Sequence, residues 1–317
     1  MKSKIKFNIK KAHGIMFHHF HDDLKHIKGQ GSIDHIQFEN LLIFLKKNFK
    51  ILKAENWYKK AINNELTENE ICLTFDDNLL CQYEVALPIL EKYGLTAFWF
   101  IYSSPLKGVN EKIEIYRNFR MAEFQNINQF YDEFDKIIID YGESKNVESG
   151  LENFNDNYLS DYLIYSYRDK KFRFIRDKIL GPEKYYSIMD KMISKSNYDV
   201  NEQSKKIWMR KDQISYLNSK KHFIGLHSHS HPTKINNLNI EDQKREYSVN
   251  YKILKEIIND DLLCVSHPSN SYNNSTLKIL KDLNIKIGFR ANMKEGFNSI
   301  FELPRIDHSI LIQKLNI

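Results

Sequence analysis

Cysteine is scarce in this sequence and forms no recognisable motif. Its three cysteines, Cys72, Cys81 and Cys264, include no CxxC pair, and each lies within or beside an apolar run. A paired or clustered arrangement would be expected of a metal or redox motif. We therefore expect all three to be small, buried residues of the hydrophobic core.

Long apolar segments are also missing. Lysines interrupt every apolar run near the amino terminus before the core of a signal peptide could form. No later stretch is long enough to cross a bilayer. We therefore expect a cytoplasmic protein, for which a lysine-rich surface would still permit peripheral contact with the inner face of the membrane.

The charges are not segregated by sign. The net charge is +6, but lysines and carboxylates alternate along most of the chain, as on an ordinary solvated surface. This distribution argues against a nucleic-acid partner. With 317 residues, 42% of them hydrophobic, the chain has enough material for one barrel-sized domain with an insertion, or for two domains.

Predicted strands and helices alternate in both outer parts of the chain. Strands are predicted at 13–20, 71–76, 96–102, 222–226, 262–266, 285–290 and 300–306, and helices at 38–49, 83–93, 240–258 and 275–283. Such alternation predicts a parallel sheet, open or closed into a barrel, with its chemistry at the carboxyl ends of the strands.

The middle of the chain has a different character. It is rich in Tyr, Phe, Asn, Asp and Lys, and helical periodicity occurs at 128–141, 158–179 and 182–194. We interpret 103–209 as a helical insertion between two parts of a barrel, 1–102 and 210–317. Its aromatic and basic residues could hold sugars and phosphates, or they could simply pack its helices: Tyr116, Arg117, Arg120, Tyr165, Arg168 and Arg173.

Two adjacent carboxylates, Asp76 and Asp77, lie at the end of the predicted strand 71–76. Because neighbouring side chains at a strand end point in different directions, Asp77 could bind a cation while Asp76 takes a proton from water on that cation. The alternative is an Asp-rich turn in which Asp77 caps the following helix.

Three histidines occur within five residues after the strand 222–226. Buried imidazoles would each need a polar partner, so metal binding explains His227, His229 and His231 better than core packing does. We predict that His227, His231 and Asp77 bind a divalent metal, zinc above all, and leave coordination positions open for water and substrate.

These two clusters resemble motifs of the polysaccharide deacetylase family, also known as the NodB-homology family. Its first motifs, TFDDG and H(S/T)xxH, appear here at 74–78 and 227–231. The resemblance implies an α/β fold, a deformed (β/α) barrel, and a metal-dependent hydrolase that removes an N-acyl group from a carbohydrate. It also implies that Asp76 is the general base, that Asp77, His227 and His231 hold the metal, and that His229 has no ligand role.

A third family motif is only partly present, at 265–273. Ser266 stands where many members have an arginine that pairs with the catalytic aspartate, and Asn270 replaces a glycine. Asparagine tolerates left-handed backbone, so the turn can survive. Arg305, in a segment similar to the LPRI ending of many members, is our hypothesis for the residue that replaces the arginine.

The resemblance leaves two candidates for the general acid. His18 follows an opening strand similar to the MYH-type strand of one branch of the family, whose histidine lies in the active site. His308 lies near the position of the last family motif, LxH, but its spacing from Leu303 does not fit. His18 is preferred, and His308 is the alternative.

The implied substrate is an N-acylated carbohydrate, which could be nucleotide-linked, lipid-linked or an oligosaccharide. We expect an intracellular intermediate of surface-glycan synthesis. Two other functions stay open: a glycan-binding homologue that has lost turnover, and a metal-dependent phosphoesterase, because His227 and His229 also form an HxH pair.

Overall fold

A computed structural model describes residues 11–155, 157–160, 165–296 and 299–315. The lysine-rich residues 1–10 and part of the predicted helix 158–179 lie outside this range. The chain forms two compact units. Of the described residues, the first contains those from position 11 to Asp22, Ser32–Val109 and those from Trp208 onward, and the second contains Asp23–Gly31 and those within Asn110–Ile207.

The first unit is built on one parallel sheet. Its strands are β1 (His13–Phe17), β2 (Lys50–Ile51), β3 (Glu70–Asp76), β4 (Phe98–Ile101), β5 (Phe223–Leu226), β6 (Cys264–Ser266), β7 (Ile287–Phe289) and β8 (Arg305–Asp307). The order across the sheet is β7-β6-β5-β4-β3-β1-β8, and β2 pairs with β3 outside this path.

The ends of this sheet approach each other. A parallel bridge joins Phe289, the last residue of β7, to Leu303, which lies just before β8. Leu303 also donates its N–H to the carbonyl of Gly288 at 2.9 Å. The sheet is therefore a nearly closed parallel barrel, which confirms the predicted deformed (β/α) barrel.

Helices of the first unit connect the strands. They are α1 (His35–Asn48), α2 (Ala54–Ile62), α3 (Leu87–Lys92), α10 (Lys211–Ser219), α11 (Ile240–Ile258), α12 (Asn274–Asp282) and α13 (His308–Leu315). Because helices cover a parallel sheet, its strands read as continuous apolar runs. All seven residues of β3 are buried, for example, and Phe75 stacks on Trp99 with ring centroids 4.4 Å apart.

The second unit is helical over its regular segments. It contains α4 (Lys112–Ala122), α5 (Ile127–Asp140), α6 (Ser144–Leu151), α7 (Tyr167–Phe174), α8 (Gly181–Ser194) and α9 (Val200–Ser204). Aromatic rings pack these helices together, for example Phe134 and Phe172 at 5.0 Å between centroids. No helix in the described ranges of the chain is both long and apolar enough to span a membrane.

Some predicted element boundaries were wrong. The predicted helix 83–93 begins as a π-helical turn at Gln82–Ala86 before α3, and the predicted strand 300–306 is a 3-10 turn at Ile300–Glu302 followed by β8. The predicted helix 158–179 contains α7 and a π-helical segment at Ile175–Leu180 instead of one continuous helix. Apolar runs this short do not distinguish these conformations.

Candidate active site

The carboxyl ends of four strands carry the polar residues of the site. Asp76 ends β3 and Asp77 follows it, His227 follows β5, His18 follows β1, and β8 ends at Asp307. Since all pairings in this sheet are parallel, these ends lie on the same edge of the barrel. Residues separated by up to 289 positions in sequence thus share one site.

Asp77, His227 and His231 form a group with the geometry of a metal-binding site. Each offers one ligand atom, and the three atoms all lie within 4.8 Å of one another. The Oδ1 atom of Asp77 lies 3.2 Å from Nε2 of His227 and 3.3 Å from Nε2 of His231. This Oδ1 is buried and makes no hydrogen bond of acceptable geometry. A carboxylate and two imidazoles that converge in this way fit a divalent cation.

Local backbone conformation directs these ligands. Asp77 and Asn78 both have positive φ, +79° and +56°, so the chain turns sharply where β3 ends. His231 has a φ of +52°. The Nδ1–H of His227 donates to the carbonyl of Ser266 at 2.8 Å, which fixes the ring and leaves Nε2 facing Asp77. The helix-capping alternative for Asp77 is not observed.

Asp76 is held by Arg305. The guanidinium donates from Nη1 to Oδ1 of Asp76 at 2.7 Å and from Nη2 to Oδ2 at 2.8 Å, a bidentate pair. Ser266 completes the arrangement, because its Oγ donates to Oδ2 of Asp76 at 3.0 Å and accepts from Nη2 of Arg305 at 2.6 Å. The serine that replaces the family's arginine thus connects Asp76 to an arginine from another strand.

Every N–H of Arg305 has an acceptor. Besides Asp76 and Ser266, its Nε donates to the carbonyl of Arg290 at 3.0 Å and its Nη1 to Oγ1 of Thr74 at 3.1 Å. The side chain is fully buried. Gly14 on β1 makes room for it, since a Cβ there would lie 3.0 Å from Cγ of Arg305.

The charges around the two carboxylates keep both ionised. Burial would raise the pKa of Asp76, but Arg305 and His227 outweigh it and hold that pKa below its usual range. Burial would also raise the pKa of Asp77, but the nearby histidines outweigh this effect and lower that pKa: His227, His231 and His18. The two carboxylates in turn raise the pKa of His227 despite its burial.

His18 and His308 have different environments. The ring of His18 is partly exposed, with Nε2 3.8 Å from Oδ2 of Asp77 and Nδ1 3.7 Å from Oδ2 of Asp307. His308 is only 2% exposed, stacks on Phe17 and has Nδ1 3.1 Å from the carbonyl of Met16. A group that donates a proton to substrate must be reachable, so the geometry favours His18 over His308.

The remaining histidine of the cluster does not join the metal group. Nδ1 of His229 lies 3.0 Å from Oγ of Ser103, and its backbone N–H donates to Glu246. Among the described residues, His229 is not part of the group that could hold a metal ion, so the geometry of that group gives the phosphoesterase alternative no support. Asn270, which replaces the motif glycine, adopts the left-handed backbone expected of it, with φ +55°.

Sequence reasoning did not predict the supporting roles of three residues, Gln82, Ser266 and Asp307. Gln82 donates through Nε2 to the carbonyls of His18 and Asp76, at 2.7 and 2.6 Å, and so ties together the chain after β1 and the end of β3. Ser266 and Asp307 support Asp76 and His18. The TFDDG pattern gives no signal for Gln82, and only the pairing of β8 with β1 brings Asp307 near His18.

Comparison with known proteins agrees with this fold. Residues 184–288 match a family model described as polysaccharide deacetylase. The matched segment includes His227, His231 and the third motif, whereas Asp76 and Asp77 lie before it. Among curated proteins, none matches this sequence significantly.

Solved deacetylases share the fold over almost the whole chain. The deacetylase PplD of Streptococcus pyogenes, solved with acetate, is 17% identical, with a TM-score of 0.53 over 94% of this chain and 92% of its own. IcaB of Ammonifex degensii is 11% identical, with a TM-score of 0.53 over 94% and 91%. A de-N-acetylase of Aggregatibacter actinomycetemcomitans is 13% identical, with a TM-score of 0.52 over 93% of each chain.

The fold and the site together define an α/β barrel with a carboxylate and histidine cluster at the carboxyl edge of its strands. Residues 184–288 resemble the polysaccharide deacetylase family model, and the chain shares the fold of solved deacetylases.

Proposed function

We propose that this protein is a metal-dependent hydrolase that removes an N-acyl group, in the first instance acetyl, from a carbohydrate. The observation that carries the proposal is the convergence of Asp77, His227 and His231 beside a second, ionised carboxylate, Asp76. The match of residues 184–288 to the polysaccharide deacetylase family model supports the choice of N-acyl carbohydrates over other amide substrates.

Asp77, His227 and His231 would hold the cation, and two nitrogen ligands with one oxygen ligand suit zinc. When bound, a divalent cation at this position would polarise the amide carbonyl and lower the pKa of a water molecule. The orientation of His227 by the Ser266 carbonyl matches the outer-shell hydrogen bond that metal-binding histidines usually make.

Asp76 would act as general base. One of its oxygens lies 3.9 Å from Nε2 of His227, so it is next to the ligand group without replacing a ligand. Arg305 and Ser266 fix its orientation and keep it unprotonated, so that it can accept a proton from the water that attacks the acyl carbon. Arg305 is thus a positioning residue that acts through Asp76.

His18 would act as general acid, and His308 is the less favoured alternative. The amine of the sugar leaves only after its nitrogen is protonated, and the imidazole of His18 is accessible at the same edge of the barrel. Asp307, 3.7 Å away, would orient the ring. The products would be a carboxylate, acetate in the simplest case, and an amino sugar.

The carbohydrate could be nucleotide-linked, lipid-linked or an oligosaccharide, and we favour an intracellular intermediate of surface-glycan synthesis. A cytoplasmic location, with peripheral contact with the inner membrane, stays a prediction of the sequence. Cell fractionation with an antibody against the full chain tests the location directly.

Metal analysis and an acetate-release assay test the function. Purified protein should contain about one divalent ion per chain, and His231→Gln should lose it. Acetate should be released from at least one member of a panel of N-acetylated sugar nucleotides, lipid-linked sugars and oligosaccharides. Asp76→Asn is the matched control, since it should retain the metal and lose turnover. Glycan binding without acetate release by the metal-loaded protein would contradict the proposal and support the non-catalytic alternative.

A further inference from the structure

The segment that carries the two histidines of the metal group has a conformation that needs support. Residues 227–231 follow β5 and form neither helix nor strand. Two of them, Ser228 and His231, have left-handed backbone, with φ of +62° and +52°. Non-glycine residues keep this conformation only where surrounding contacts fix it. The place of His231, whose side chain is 20% exposed, therefore depends on what holds the segment.

Glu246, on α11, holds the middle of this segment. Its Oε2 accepts the N–H groups of His229 and Ser230 at 2.9 and 2.8 Å, and its Oε1 accepts the hydroxyl of Ser230 at 2.8 Å. Both oxygens of one carboxylate are thus used on two consecutive residues. Because hydrogen bonds to a carboxylate are stronger than those between neutral groups, Glu246 fixes the backbone just before His231.

His229 connects the same segment to the chain after β4. Its carbonyl accepts the N–H groups of Ser103 and Ser104 at 3.1 and 2.9 Å, and its Nδ1 lies 3.0 Å from Oγ of Ser103. Both serines are buried, at 0% and 2% exposure. The histidine that does not belong to the metal group is therefore anchored to the interior of the barrel.

Asn250, one turn after Glu246 on α11, supports the other histidine of the group. Its Oδ1 accepts the N–H of His227 at 3.1 Å, and its Nδ2 donates to the carbonyl of Ile101 at 2.9 Å. Asn250 is fully buried. Residues four apart lie on the same face of a helix, so one face of α11 supplies polar groups to both ends of the segment. A buried polar side chain is stable where it satisfies backbone groups in this way.

We propose that Glu246 and His229 are positioning residues that hold the segment 227–231 with His231 facing Asp77, and that they thereby set the affinity for the cation. In this conformation Nε2 of His231 lies 3.3 Å from Oδ1 of Asp77. A ligand group that is ordered before the ion arrives does not have to be ordered by binding, which increases affinity. This role rests on the metal site of the proposed function and is independent of the substrate.

The zinc affinity of the full chain, measured by competition with a chromogenic chelator, tests the role of Glu246. Glu246→Ala should weaken zinc binding roughly tenfold, as loss of an outer-shell contact usually does. Glu246→Gln should stay within about threefold of the wild type, because its carbonyl can accept both N–H groups and its amide can donate to Ser230. Glu256→Ala, at an exposed position of the same helix, is the matched control and should bind like the wild type. Equal losses in Glu246→Ala and Glu246→Gln would overturn the role, since charge and not positioning would then set the affinity.

Hydrogen exchange of the metal-free protein separates this role from the proposed function. Peptides that contain 228–231 should exchange faster in Glu246→Ala than in the wild type, whereas Glu256→Ala should leave them unchanged. A wild type that binds no zinc would contradict the proposed function, and hydrogen exchange alone would then decide whether Glu246 holds the segment. The role is overturned if Glu246→Ala exchanges like the wild type in this segment, or if it binds zinc as tightly.

His229 provides a second and independent pair of variants. His229→Ala removes the contact of the ring with Ser103 and should weaken zinc binding by roughly threefold, because the backbone hydrogen bonds remain. It should also speed exchange at 228–231. His229→Asn should restore both, since its amide can replace Nδ1 at Ser103 although asparagine is not a usual zinc ligand. If Glu246→Ala does not fold, these two variants decide: no effect of His229→Ala, or an equal loss of zinc in both, overturns the role.

Discussion

At the scale of single residues, the most informative contact is that between Arg305 and Asp76. Removal of the charge would leave a buried carboxylate unpaired, so a variant that keeps the charge is the cleaner test. Lysine retains the positive charge but lacks the planar fork that holds both oxygens. The contributions of charge and of geometry can therefore be separated at this position.

We expect Arg305→Lys to reduce kcat/KM by roughly tenfold or more, because Asp76 loses its fixed orientation. Arg305 lowers the pKa of Asp76, so the weaker pair in the variant should raise that pKa. Activity requires the ionised base, and the acidic limb of the pH-rate profile should therefore move to higher pH. Arg210→Gln, at an exposed ion pair with Asp212, serves as control. An unchanged profile would contradict the role assigned to Arg305.

Single substitutions can also decide whether His18 or His308 is the general acid. His18→Ala should lower kcat by roughly 10²-fold or more, because it removes the proposed proton donor. His308→Ala should mainly lower the thermal midpoint, since that ring is buried against Phe17. Both variants should be compared with the wild type in kcat and in the midpoint of thermal unfolding. Near-normal turnover of His18→Ala together with loss of turnover in His308→Ala would reverse the assignment.

At the scale of elements, a buried carboxylate joins β3 to its neighbours. Glu70 on β3 is 2% exposed and accepts from Nζ of Lys60 on α2 at 2.6 and 2.7 Å and from Nζ of Lys50 on β2 at 3.1 Å. Burial alone would raise its pKa, but these lysines and the N–H of Thr67 lower it to about 2. The stability of this end of the sheet should therefore decrease in acid.

We expect Glu70→Gln to lower the free energy of unfolding at neutral pH by roughly 1–2 kcal/mol, a value limited by the partial exposure of the lysines. The folded pKa lies below the unfolded value of about 4.3, so the stabilisation is complete above that pH and is lost as the pH falls towards 2. Urea unfolding of both proteins between pH 2 and 7 should show the difference disappear. Glu55→Gln, in an exposed pair with Lys59, should show almost none.

At the scale of the whole molecule, the proposed cation links parts of the chain that are distant in sequence. Asp77 comes from the first half of the barrel and His227 and His231 from the second. A ligand that binds only the folded state stabilises that state by mass action. The stability of the protein should thus depend on its metal.

Chelation should lower the midpoint of thermal unfolding by several degrees, and readdition of zinc should restore it. His231→Gln should have the lower midpoint from the start and should not respond to the chelator. Differential scanning calorimetry with parallel metal analysis makes the measurement. A wild-type midpoint that is unchanged after complete loss of metal would show that the cluster is stable without an ion.

The sequence by itself determined the alternation of strands and helices, because apolar period and turn residues are local properties. It also determined the two motifs of the site, since adjacent carboxylates and closely spaced histidines are visible without coordinates. The substitution of Ser266 for an arginine was visible as well, although its consequence was not.

Only the tertiary structure decided which groups meet. The pairing of β8 with β1 brings Asp307 to His18, a contact across more than two hundred residues that no local signal encodes. It also gives Arg305 the contact with Asp76 that the sequence offered only as a hypothesis. Hydrophobic periodicity shows which side of each segment faces the core. The compensation of a buried charge depends instead on which residues the fold places next to it.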